Sequence, residues 1–94
     1  MADLTELRGE LDAIDREMVA LFERRMAVAR EVAAYKLANG LPVLDASREA
    51  QVIASRQGYL TEERLREDVA RLFETVMALS REEQRRVMEA EKDA

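Results

Sequence analysis

Residues 3–39 read DLTELRGELDAIDREMVALFERRMAVAREVAAYKLAN. Taken as one helix, this stretch places Leu4, Leu7, Leu11, Ile14, Met18, Leu21, Arg25, Val28, Val32 and Tyr35 on a single line in steps of three and four. Such a line is an apolar stripe sustained over about five heptads. Asp3 with Glu6 forms a capping box ahead of the first apolar residue, and Asn39-Gly40 followed by Pro42 supplies the stop. Some 35 helical residues extend about 52 Å. A compact 94-residue chain has a radius of gyration near 12 Å, hence a diameter of roughly 32 Å. The helix therefore overhangs anything its own chain can build around it, and a second copy is the simplest cover for the exposed part of the stripe.

Arg25 is the wrong residue for that stripe. A guanidinium in an apolar seam costs several kcal/mol unless an anion pairs with it. Lys36 lies about three turns further on, nearly on the same line and roughly 16 Å away. Arg8 is about 25 Å from Arg25 along the same axis, too far for one straight helix to bring both to one small molecule.

The remainder of the chain continues the helical pattern. Asp45 is an N-cap for a second helix, about Ala46 to Gln57, closed by Gly58. Thr61 caps a third, with Glu62 and Glu63 at its positive end. That helix has an apolar line through Leu65, Val69, Leu72, Phe73, Val76 and Met77, then Val87 and Met88, interrupted by Ser80 and Gln84. Glu89 to Ala94 is charged and expected to fray. With no strand-length run of β-branched or aromatic residues, the expectation is an all-α chain of three helices forming one domain over residues 1–94.

Composition removes several chemistries. Cysteine and histidine are both absent, so there is no thiolate nucleophile, no Ser-His or Cys-His couple and no thiolate or imidazole metal ligand. A net charge of −5 argues against nucleic acid as a partner, and it makes any cluster of cations a local feature. No window approaches eighteen apolar residues, and the N-terminus lacks the basic and apolar run of a signal peptide. The expectation is a cytoplasmic protein that does not engage a membrane.

Arg8, Arg25, Lys36, Ser80 and Gln84 sit on or beside apolar lines, while Asp45, Arg48 and Glu49 open the second helix. Each has an ordinary explanation alone: a snorkelling cation, a register-fixing amide, a cap or a solvated turn. Together they describe a basic site with an amide, a hydroxyl and one carboxylate but no nucleophile. That combination suits a small dianionic ligand, and chemistry carried by positioning and electrostatics.

The ordered set Leu7-Arg8, Ile14-Asp15, Arg25 with Lys36 eleven residues later, Pro42-Val43, Asp45-Ala-Ser-Arg48-Glu49, and Ser80 with Gln84 after Leu72-Phe73 resembles the all-helical class of chorismate mutases over almost the whole chain. The resemblance implies an intertwined homodimer with shared active sites and the Claisen rearrangement of chorismate to prephenate, on the branch to Phe and Tyr, with no cofactor and no metal. It implies that Arg8 reaches the partner's site and pairs with one substrate carboxylate. Arg25 would pair with the other, with Arg48 nearby. Lys36 and Gln84 would donate to the ether oxygen, Glu49 and the Asp45 region would take the ring hydroxyl, and Ser80 would help hold the ring carboxylate. An isochorismate pyruvate lyase or an aminodeoxychorismate mutase of the same fold is the near alternative. A non-catalytic helical regulatory or interaction module is the alternative of another class.

Overall fold

A computed structural model describes residues 2–93. Three α-helices and one 3-10 turn make up its regular structure: α1 Leu4–Ala38, α2 Ala46–Gln57, the turn Glu63–Leu65, and α3 Arg66–Lys92. There is no strand among the described residues, so the chain is all-α. It is elongated, 56 × 28 × 14 Å with a radius of gyration of 16.8 Å, as the length of α1 demands.

Local chemistry sets the ends of α1 and α2. The Asp3 carboxylate accepts from Glu6 N at 2.9 Å and caps α1. At the other end Gly40 adopts φ +65°, Leu41 N donates to Lys36 O at 2.8 Å and Gly40 N to Leu37 O at 3.4 Å. That pair of bonds is a Schellman turn, which satisfies the last carbonyls and reverses the chain. Asp45 then caps α2 by accepting from Arg48 N at 3.0 Å.

The third helix departs from the sequence reading at its start. Thr61 does not cap it. The chain first winds a 3-10 turn in which Leu65 N donates to Glu62 O at 3.0 Å, and α3 starts at Arg66 with no side-chain cap. The Gln57 amide holds this entry by donating to Arg66 O at 3.1 Å, tying the end of α2 to the start of α3. The charged tail is helical as far as Lys92. Val87 and Met88 are half-buried there and give the last turns something to pack.

Both α1 and α2 pack on α3. The face α1 turns inward is centred on Ala29 and Ala33, not on the long apolar line; Ala33 is 0% exposed. Small side chains win this position because they let two helix backbones approach. Val52 of α2 and Met77 of α3 complete the buried apolar set, four side chains among the described residues. By contrast every described residue up to Arg24 is exposed, including Leu7, Leu11, Ile14 and Met18. Full enclosure within one chain is thus confined to a few side chains, two of them alanines, among the described residues.

Candidate active site

The three helices converge on one cavity of about 330 Å³. Arg25, Ala29 and Lys36 reach it from α1, Arg48, Glu49, Val52 and Arg56 from α2, and Met77, Ser80, Arg81 and Gln84 from α3. Steps of three and four put each set on one face of its helix. Asp45 and Val43 close the end beside the α1–α2 connection.

Of the residues singled out in the sequence, Arg25, Lys36, Asp45, Arg48, Glu49, Ser80 and Gln84 all line this cavity. Arg8 does not. It is exposed on the overhanging part of α1, roughly 25 Å from Arg25 along the helix.

A chain of hydrogen bonds organises one part of the cavity. Lys36 Nζ donates to Val43 O at 2.7 Å and to Gln84 Oε1 at 2.9 Å, and Gln84 Nε2 donates to Ser80 Oγ at 3.2 Å. The Schellman turn matters here, because it brings the Val43 carbonyl back over the last turn of α1 that carries Lys36. Ser80 and Gln84 are both buried, and no buried side-chain nitrogen or oxygen among the described residues lacks a partner. The ammonium has three protons and the amide nitrogen two. Each therefore keeps one N–H beyond the bonds just named.

Another part of the cavity holds guanidiniums. Burial, then the neighbouring Arg56, then Arg48, lower the Arg25 pKa from its ordinary value. Arg25 is half-buried as well, as expected of a cation set into the seam. Among the described residues the Arg48 side chain bonds only to the neutral Gln51 amide oxygen, at 2.7 Å. Among the described residues no ion pair includes Arg25, Lys36, Arg48 or Arg56.

Glu49 is the exception in charge and in pairing. Its Oε1 accepts from Arg81 across the α2–α3 interface. Asp45 spends one oxygen on capping α2. The lining thus has five cations (Arg25, Lys36, Arg48, Arg56, Arg81) against two carboxylates (Asp45, Glu49), an excess of three positive charges in a chain whose net charge is −5.

The sequence reading missed Arg56, Arg81 and the Val43 carbonyl. For the two arginines a signal existed. Arg48, Val52 and Arg56 recur in fours on α2, and Arg81 falls in the 77–80–81–84 pattern that faces inward on α3. No group of three or more acidic side chains among the described residues is arranged to hold a metal ion. No helix among them is long and apolar enough to cross a membrane.

Two relatives, each named T-protein, share sequence with this chain: that of Enterobacter agglomerans is 37% identical and that of Haemophilus influenzae 35% identical, each over 57 residues. Those residues are 61% of this chain and 15% of either relative, so the chain spans only a small part of the relatives it matches. No solved structure gives a significant match. The family model described as chorismate mutase type II matches residues 7–85, from the residue before Arg8 to the one after Gln84. That span takes in α1 from its first turn, all of α2 and α3 through its cavity-lining face, and it makes the chain a member of the chorismate mutase type II family.

Proposed function

We propose that the chain, as one helical domain over residues 1–94, catalyses the rearrangement of chorismate to prephenate, and does so as a homodimer. The observation that carries this reading is the pairing, in one cavity, of carboxylate-free guanidiniums with the Lys36–Gln84 couple. The substrate is a dianion. Its carboxylates need cations that no internal acid has neutralised, and Arg25 and Arg48 are such cations.

The reaction is intramolecular. The C–O bond of the enolpyruvyl ether breaks as a C–C bond forms, and no proton or group leaves the molecule. What the protein can lower is the cost of folding the substrate into a compact conformer and of the charge growing on the ether oxygen. Lys36 and Gln84 each have an N–H to spare for that oxygen. Glu49, fixed by Arg81 through one oxygen, accepts the ring hydroxyl with the other, and Ser80 donates its hydroxyl proton to the ring carboxylate. No step asks for a nucleophile, a metal or a cofactor.

Arg8 of a second copy closes each cavity and meets the other carboxylate. Support for the dimer comes from α1, whose exposed line Leu7, Leu11, Ile14 and Met18 lacks cover within its own chain.

Chorismate decides the matter. The chain should consume it with loss of its ultraviolet absorbance and give prephenate as sole product. No turnover of chorismate, or pyruvate released from isochorismate instead, overturns the reading.

A further inference from the structure

We infer that Arg56 is a substrate-binding residue, which with Arg25 and Arg48 forms a three-guanidinium seat for one carboxylate of the dianion. The inference rests on the proposed reaction and adds to it a ligand that the sequence pattern did not contain.

Placement comes first. Arg56 is on the cavity face of α2, two turns beyond Arg48 and so about 12 Å along the axis, a gap that two long side chains can close. It is half-buried. Its stem and plane are held by neutral groups alone. NH1 donates to Ser55 Oγ at 2.9 Å, Ser55 in turn donates to Val52 O at 3.0 Å, and the guanidinium carbon lies 5.8 Å from the Tyr59 ring centre and 5.9 Å from that of Phe73. This bracket fixes the guanidinium while leaving its charge unneutralised. Most of its five N–H donors stay unused.

The missing counter-charge is informative in so acidic a chain. Arg66, Arg71 and Arg86 each pair with a carboxylate three residues earlier on the surface. Arg56 has no acidic residue within four positions on either side. Arg30 and Arg81 instead reach carboxylates across helix interfaces, at Glu83 and Glu49, and among the described residues Arg56 has neither kind of partner. Three like charges around one cavity repel, and the cost is recovered when an anion arrives. A carboxylate offers about four lone-pair positions, enough to accept from several guanidiniums at once.

Such a contact is made equally to substrate and transition state, since neither carboxylate changes charge in the reaction. Its loss should appear in KM rather than kcat. The test uses wild type, Arg56→Met, which retains an apolar stem against Tyr59 and Phe73, and Arg56→Lys, which restores a positive charge. Steady-state kinetics with chorismate and thermal unfolding are measured for all three. Arg56→Met should raise KM about tenfold with kcat within about threefold, and Arg56→Lys should recover most of the KM. A KM for Arg56→Met within twofold of an active wild type overturns the role of Arg56 and leaves the reaction intact. Equal losses in both variants, matching a fall in unfolding temperature, make the residue a packing element and also overturn it. A wild-type chain without turnover removes the reaction and this inference together.

Discussion

Lys36 and Gln84, 48 residues apart in sequence, meet at 2.9 Å with the ammonium donating to the amide oxygen. The bond does two things. It settles which end of the Gln84 amide is oxygen, because an ammonium has only protons to give. It also leaves the amide nitrogen free of Lys36, so both residues keep an N–H to donate.

Removing either donor should therefore strike the chemical step. Lys36→Ala and Gln84→Ala should each lower kcat by about 10² or more, the usual cost of one donor aimed at developing charge. Stopped-assay or absorbance kinetics with chorismate checks this, and two variants of unchanged kcat would remove both residues from the chemistry.

Gln84→Glu gives a pH dependence of known sign. The ionised carboxylate accepts from Lys36 but has no proton for the ether oxygen, while the protonated acid has one. Activity of the variant should rise as pH falls through the pKa of the new carboxyl, whereas the wild type, with a neutral amide, should not need acid. A variant with the wild-type pH profile would count against donation from position 84.

Arg8 and Arg25 lend themselves to a complementation test. Arg8→Ala and Arg25→Ala chains should each be nearly inactive alone. In a mixed dimer one cavity keeps both arginines and the other loses both, so mixing should restore about one working site per mixed dimer. Sedimentation should show about twice the chain mass at micromolar concentration. Ile14→Glu, which puts a charge into the exposed line of α1, should shift the protein toward monomer. No recovery on mixing would refute the sharing of sites.

Two substitutions probe the frame. Ala33 is fully enclosed between α1 and α3, so Ala33→Leu should cost about 2 kcal/mol through overpacking. Gly40 has open space where a Cβ would go, so Gly40→Ala pays only for its φ of +65°, about 1 kcal/mol. Urea unfolding at fixed protein concentration reads both. Gly40→Ala should also lower kcat, because it disturbs the turn that delivers the Val43 carbonyl to Lys36.

Much of the architecture was legible because it is written in local chemistry. Asp3, Asp45 and Gly40 mark the helix ends with bonds that span three to five residues, and both α1 and α2 fall where those signals put them. The start of α3 was not legible. Thr61 has the right hydroxyl, but the chain winds a 3-10 turn first and is secured by Gln57 from the preceding helix, a contact no window around Thr61 contains. The apolar line of α1 was visible as a pattern, yet the residues it buries within the chain are Ala29 and Ala33, chosen by how closely two backbones approach. The candidate site residues Arg25, Lys36, Asp45, Arg48, Glu49, Ser80 and Gln84 gather at one cavity, and Arg8 does not. Arg56 and Arg81 were passed over among 15 cationic residues, although their spacing from Arg48 and from Ser80 and Gln84 puts them on the same helix faces.

The bare first six turns of α1 have a last consequence, given the proposed pairing. Most helical stability in proteins comes from tertiary packing of an apolar face, and within its own chain this stretch has none. Its order must then be borrowed from the subunit that covers it, and the borrowing obeys mass action. Diluting the protein should melt residues 4–24 along with the quaternary contact, and their amide protons should exchange with solvent at a pace set by dissociation, ahead of those around Ala33.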